Sequence, residues 1–417
     1  MRILKLTPQT EAALMRAREV QDREAHRAAG RIVTDVRRRG DAALDEWTRR
    51  LDSVDVRGKL LWVSQKEIAA ATKRVSREFL RAVEHAATNV RRVAEKQLPR
   101  GWSLTVEPGV RISQLICPID SIGCYIPGGR FALFSTMVMT VVPAQVAGVS
   151  RIVAVCPRAN DELLATAGLL GVKQLARVGG AQAIAAMAYG TRRIAAVEKI
   201  FGPGNRYVNA AKQIVSSDCA IDLPAGPTEA IVLARSGSPR WIAADLLAQA
   251  EHAPDAGSYF ATTSEKLAKQ VKEELAIQLA DLPPTNPARI STEKAGAILL
   301  ARTMDEGIAF VNRFAPEHLS LPDNSRAQLK KIRASGTIFV GHLSAQPFGD
   351  YASGSNHVLP TGGWARRRGG LSASDFVKQF TVQSISPTGY RCLADDVQIM
   401  ARAEGLLAHA NAVEVRK

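Results

Sequence analysis

The sequence predicts an α/β fold built from two Rossmann-like parallel-sheet halves, with helical segments at either end. Three observations carry this. Short apolar strands alternate with helical stretches in two successive blocks, the pattern of sheets whose strands are joined by helical crossovers. The chain has 417 residues, enough for more than one packed domain. Its hydrophobic content is 46% but its aromatic content only 5%, so the core must be mostly Ala, Val, Ile and Leu, residues that suit helices packed on a parallel sheet.

The first hundred residues read as helical. Ser64 followed by Glu67 is a capping-box pattern at the head of one long amphipathic run reaching about Leu98. Residues 110–126 read as extended and end in the turn Pro127-Gly128-Gly129. The first alternating block follows: a helix over 135–148, a strand at 151–156, a helix at 160–170, a strand at 173–178 and a helix at 181–189. It closes with a strand at 197–201 that ends in Gly202-Pro203-Gly204-Asn205. The second block opens with a strand at 229–234. Ser238-Pro239 then supplies an N-cap with proline at the first helical position of a helix running to about His252. A strand at 258–263, a helix, a strand near 297–300, a helix to Phe314 and a strand at 337–340 complete it. Residues 342–370, rich in Gly, Ser and Pro, read as a long functional loop. The remainder, ending in a helix over 401–408, is too small to be a domain by itself.

Composition excludes several classes. No stretch is long and apolar enough to span a membrane, and MRILKLTPQTEAALMRAREV has neither an apolar h-region nor a small-residue cleavage site, so no secretory signal is expected. The five cysteines are scattered, with no C-x-x-C, which argues against a disulfide framework or thiolate zinc site and for a cytoplasmic protein. The net charge of +15 raises the question of nucleic acid. Yet the basic residues are spread along the chain, and the densest runs, 37–39 and 366–368, lack interleaved aromatics, so no nucleic-acid partner is expected.

Four segments hold residues suited to chemistry. Gln249 and His252, three apart at the end of a predicted helix, project from one face, although a solvated helix end would look the same. Glu317-His318 sits just after a helix. A neutral His suits proton transfer near pH 7 and a neighbouring carboxylate can orient water, but surface Glu-His pairs are common. Asp350 and His357 lie in a loop dense in Gly and Pro, where an Asp could equally satisfy turn amides. Glu404 and His409 are five apart, and share a site only if the helix ends near Gly405 or if they approach a ligand from different angles. An oxygen and nitrogen set such as Gln249, His252, Asp350 and His409 would suit Zn²⁺ without thiolates.

The block Ile221-Asp-Leu-Pro-Ala-Gly-Pro-Thr-Glu229, continuing to Glu251-His252, resembles the signature segment of the L-histidinol dehydrogenases. The segments VGGAQAIAAMAYGT, FGPGN, APEHL, GDYASGSNHVLPTGG and AEGLLAHANAV resemble that family's motifs in the same order, from about residue 110 to the C-terminus. The stretch from Gly128 to Ser135 departs from the family pattern, and Thr228 stands where many members carry Ser. The resemblance implies an aldehyde-dehydrogenase-like arrangement of the two halves. It implies zinc ligands Gln249, His252, Asp350 and His409, an acid–base His318 and a water-activating Glu317. It also implies substrate contacts from the four ligands with Thr228, His318, His357 and Glu404, and NAD contacts from Tyr125, Gln182 and Asn205. The implied reaction oxidises L-histidinol to L-histidine by two hydride transfers to NAD⁺, inside an intertwined homodimer whose tails complete each other's sites.

The expected division is a helical arm over 1–25, a first half from 26–115 and 229–370, a dinucleotide-binding half over 116–228, and an exchanged helical segment over 371–417. No G-x-G-x-x-G is present, and Gly202-Pro-Gly204 is only a fragment of one, so unconventional dinucleotide contacts are expected. Competing readings are a sibling dehydrogenase acting on another alcohol such as a sulfonated diol, a zinc hydrolase with Glu317 as base, and a basic nucleic-acid-binding protein.

Overall fold

The computed structural model describes residues 1–18, 23–128, 132–224, 226–323 and 326–417. Part of the departing stretch, Gly129 to Phe131, lies outside them.

Two parallel sheets form the frame. The larger has six strands, in the order Arg2–Lys5, Gly296–Leu300, Gly257–Thr262, Glu229–Leu233, His318–Leu321 and Thr337–Val340. The smaller has five, in the order Gln174–Ala176, Arg151–Val155, Ser121–Tyr125, Lys199–Phe201 and Ala220–Ile221. Strands Glu229–Leu233, Gly257–Thr262 and Ser121–Tyr125 are buried along their whole length. Parallel strands are covered on both faces by their own crossover helices, which is why they read as unbroken apolar runs. A third, antiparallel sheet joins Val377–Ile385, Val110–Pro118 and Trp102–Glu107.

The two-block alternation is thus present, with an added strand, His318–Leu321, and several other differences. The N-terminus opens with a strand, Arg2–Lys5, on the edge of the larger sheet, where an entirely helical arm was expected. The amphipathic run after Ser64 is two helices, Gln65–Arg74 and Arg77–Gln97. The capping box forms as read, but Ser76 caps a second start. Helices from residues 23–97 pack chiefly with the half that holds the smaller sheet, and meet the 229–370 stretch near 352–358, where Asn89 donates to the Ala352 carbonyl at 2.9 Å. Val33, Val36 and Leu44 share a core with Ile184 and Val208, and Ile68, Val83 and Val90 share another with Met137, Val141 and Leu163. The apolar faces of these helices are matched by the helices of 134–215, whereas the larger sheet is covered by its own. Finally, 371–417 is not all helical, because Val377–Ile385 is a nine-residue strand before helices Pro387–Ala403 and Leu407–Glu414.

Among the described residues no helix is long and apolar enough to cross a membrane. The antiparallel sheet and C-terminal helices leave large apolar side chains open, including Trp102, Leu104, Phe380, Ile399, Met400 and Leu407.

Candidate active site

A cleft of 1440 Å³ lies between the two parallel sheets, lined among others by Asn205, Thr228, Glu229, His252, Glu317 and His357. The smaller sheet faces it with residues beyond the carboxyl ends of its strands, Gly202–Asn205 and Asp222–Leu223. The larger sheet faces it with residues at the amino ends of its strands, such as Glu229, Gly257 and Gly296. In the smaller sheet the chain winds outward in both directions from Ser121–Tyr125. The crevice beyond Tyr125 and Phe201 is therefore a topological switch point, where α/β sheets bind ligands.

Glu317 and His318 are buried where the chain enters strand His318–Leu321, which lies between Glu229–Leu233 and Thr337–Val340. Ala315, with φ of 52°, ends the preceding helix in a left-handed turn and aims the pair inward. Glu317 precedes the strand, so the two side chains escape the alternation that would part them, and His318 Nδ1 lies 3.8 Å from Glu317 Oε2. The Glu317 carboxylate accepts from the Thr228 hydroxyl at 2.5 Å and from the Glu229 backbone N–H at 3.0 Å. Burial raises its pKa, against the opposing pull of His318 and these donors. For His318 burial disfavours the imidazolium, but Glu317 and Asp350 outweigh it and raise the pKa. Its Nε2 is 3.6 Å from Asp350 Oδ1, and neither ring nitrogen has a hydrogen-bond partner. A buried, unpaired imidazole between two carboxylates is costly unless a ligand completes it.

Gln249 and His252 come from the end of helix Pro239–Ala250. Gln249 is fully buried; its Nε2 donates to the Thr228 hydroxyl at 2.9 Å, and its Oε1 accepts from Gln346 at 2.7 Å. The hydroxyl of Thr228 therefore links Gln249 to Glu317. His252 donates from Nδ1 to the Ala248 carbonyl at 2.9 Å, so Nε2 is the ring nitrogen left to meet a ligand. It is close enough to act electrostatically on Glu317, Asp350 and His357. Asp350 lies in a short helix, Gln346–Tyr351, inside the stretch read as loop. Burial pushes its pKa up, but His318, His357 and His252 together hold it below the ordinary value. His357 donates from Nδ1 to the Asp350 carbonyl at 2.8 Å and its Nε2 meets the Thr136 hydroxyl at 3.1 Å, while burial lowers its pKa.

The fold thus gathers Thr228, Gln249, His252, Glu317, His318, Asp350 and His357. The side-chain carbonyl of Gln249, the Nε2 of His252 and the carboxylate of Asp350 are oxygen and nitrogen donors of the kind that suits a borderline cation such as Zn²⁺. Among the described residues no group of three His, Cys, Asp or Glu side chains is placed to hold a metal. Glu404 and His409 are exposed on the C-terminal helices and take no part in the cluster's hydrogen bonds or ion pairs. The helix does end at Ala403, with Gly405 at φ 77° before the next begins.

Tyr125, at the end of its strand, is buried, and its hydroxyl accepts from Gly180 N–H at 3.1 Å. Gln182 is fully buried and donates to Asp52 at 2.9 Å, with its Oε1 unpaired. Asn205 is exposed at the cleft and caps helix Arg206–Val215 through Tyr207 and Val208 N–H.

Two residues near the cluster were not singled out in the sequence. Glu229, pushed up to about 7 chiefly by burial, accepts Arg18 Nε at 2.8 Å, and Arg18 stacks over Phe314 at 3.6 Å. A contact across 211 positions has no spacing from which to infer it. Glu229 closes the signature block, and that was its only visible signal.

Comparison with known proteins gives the same picture. The family model for histidinol dehydrogenase matches residues 15–417. The histidinol dehydrogenase of Methanothermobacter thermautotrophicus is 46% identical over 392 residues, 92% of each chain. The crystal structure of histidinol dehydrogenase from Elizabethkingia anophelis superposes with a TM-score of 0.94 at 37% identity, covering 100% of this chain and 98% of that one. An acetylating aldehyde dehydrogenase from Geobacillus thermoglucosidasius, 13% identical, shares the fold with a TM-score of 0.51, covering 87% of this chain and 97% of its own. With ordered motifs, cleft and full-length match in agreement, the chain belongs to the histidinol dehydrogenase family.

Proposed function

We propose that the chain oxidises L-histidinol to L-histidine through bound L-histidinaldehyde, passing two hydrides to two NAD⁺, at the end of histidine biosynthesis in the cytoplasm. The observation that carries this is the buried Glu317–His318 pair, joined through Thr228 to Gln249 and flanked by Asp350. Gln249, His252 and Asp350, with His409 of a second copy, would hold zinc. A zinc ion held there would supply a Lewis-acid anchor for nitrogen donors of the substrate, and so help position the reacting carbon.

His318, with both ring nitrogens unpaired, accepts the alcohol proton as hydride leaves the carbinol carbon for NAD⁺, giving the aldehyde and NADH. Glu317 accepts a proton from water as its oxygen adds to the aldehyde carbon. His318 returns its first proton to the former carbonyl oxygen, which completes the hydrate and frees the imidazole; the hydrate then loses a second hydride to a second NAD⁺ and a proton to His318, leaving the carboxylic acid. Tyr125, Gln182 and Asn205 border the dinucleotide, Thr228 and His357 the substrate. Glu404 and His409 reach the site from the partner's tail.

Counting NADH formed per histidinol consumed, with and without a chelator, tests this. Two per substrate, abolished by chelation and restored by zinc, is expected. Substrate loss without NADH, or one NADH with free aldehyde, overturns it.

A further inference from the structure

Lys212 and Asp222 form an ion pair whose side chains are 1% and 0% exposed, in the wall of the cleft that Glu317 also lines. Two buried charges cost much in desolvation, so every remaining donor and acceptor must be satisfied. Here they are satisfied almost entirely by backbone. Lys212 Nζ donates to the Gly202 carbonyl at 2.9 Å. The Asp222 carboxylate accepts from Gly202 N–H at 2.8 Å and from Leu223 N–H at 2.6 Å. One glycine therefore has both of its peptide groups held by the two halves of one ion pair.

That glycine begins the turn carrying Asn205. It has φ of 114°, and a Cβ placed on it would fall 2.2 Å from the Tyr125 carbonyl oxygen, so the turn rests directly on the end of the Tyr125 strand. Asp222 heads the run that leads to Thr228, and its own carbonyl accepts from Arg368, whose other nitrogen pairs with Asp375 at 3.0 Å. The pair thus ties the Gly202–Asn205 turn, the start of the 222–228 run and the segment after the Gly-rich stretch into one piece. Neither residue touches the Glu317–His318 cluster through any hydrogen bond or ion pair among the described residues.

We infer that Lys212 and Asp222 are positioning residues for the dinucleotide: their buried ion pair holds the Gly202–Asn205 turn in the shape that receives NAD⁺. This rests on the dinucleotide reading of Asn205 above. A charge pair aimed at backbone amides fixes a turn more narrowly than apolar packing, because hydrogen bonds are directional and packing is not.

The test pairs variants with a measurement on the unaltered protein. The double variant Lys212→Met, Asp222→Asn keeps volume and leaves no unpaired charge. It should fold, raise KM for NAD⁺ roughly tenfold and leave KM for histidinol unchanged, the signature of a displaced cofactor wall. A purely structural pair would shift the thermal midpoint without that split. A folded double variant with unchanged KM for NAD⁺ overturns the proposal. In the unaltered zinc-loaded protein, the Gly202 and Leu223 amides should exchange hydrogen as slowly as those of strand Ser121–Tyr125, before NAD⁺ is added. Exchange at loop rates overturns the proposal even if the variant does not fold. Asn205→Ala separates the two readings. If it raises KM for NAD⁺ and the pair variant does not, the positioning role fails; if it does not raise KM, the dinucleotide assignment of the turn fails.

Discussion

Burial raises the pKa of both Glu317 and Asp245, but the two carboxyl groups differ in what they meet. Glu317 has a hydroxyl, a backbone N–H and an imidazole to favour its charged form. Asp245, on the helix that carries Gln249, has none, and burial alone pushes it up to about 6 from an ordinary 3.8. Because the folded protein holds this proton more tightly than the unfolded chain, stability from protonated Asp245 is fully present below pH 3.8. It is lost as pH rises through about 6. Asp245→Asn should therefore stabilise the protein by on the order of 1 kcal/mol at pH 8, allowing for partial exposure, with the gain shrinking toward pH 4. Thermal midpoints at the two pH values decide it, and an equal gain at both would remove the titration argument. At the same scale, His318→Asn should abolish most turnover with zinc content intact, whereas His252→Asn should lose zinc; metal analysis of both variants checks the division of roles. Gln249 and His252 were singled out by the family motif, since their spacing at a helix end fits a solvated terminus as well, and the helix stops at Ala250, before His252. Arg18–Glu229 and Lys212–Asp222 were not legible, since pairs that close over 211 and 10 residues leave no periodic trace in a sequence.

Elements with strong internal patterns were legible and those defined by a distant partner were not. The capping box at Ser64 and the buried strand Arg151–Val155 announce themselves through their own residues. Strand Arg2–Lys5 has four residues and exists by pairing with Gly296–Leu300, while Val377–Ile385 is mostly exposed and depends on Val110–Pro118. His318–Leu321 has only four residues and begins three positions after the left-handed Ala315, so the sequence shows the helix end and not the strand. The break between the two C-terminal helices is of the legible kind, because a glycine with left-handed backbone, Gly405, follows the end of helix Pro387–Ala403. Its φ of 77° with nothing near a would-be Cβ means that Gly405→Ala acts through the backbone, not through a clash. The variant should cost about 1 kcal/mol and lower both zinc content and kcat, with Gly405→Asn recovering most of each because Asn tolerates the left-handed region. If Ala at 405 lowers the thermal midpoint but leaves zinc and kcat alone, the direction of the tail does not matter to the site.

At the scale of the whole molecule, His409 stands apart from the cluster around Glu317 and His318, and its segment sits exposed beside open apolar side chains such as Ile399, Met400 and Leu407. Apolar surface of this extent on a folded chain calls for a partner, and a two-fold partner would carry an identical tail to an identical core. If each core takes the other copy's tail, two dead variants can rescue one another. A chain with His318→Asn has a dead core and a sound tail; a chain with His409→Asn has a sound core and a dead tail. Co-expressed, they form mixed dimers in which the sound core meets the sound tail in one of the two sites. Random pairing makes about half the dimers mixed, so activity should return to roughly a quarter of the unaltered level per site. If each tail serves its own core, no pairing joins a sound core to a sound tail, and the co-expressed protein stays as inactive as either variant alone. The comparison needs only differently tagged chains and a histidinol assay on the doubly purified dimer, where the expected recovery rises to about half because every molecule then carries one complete site.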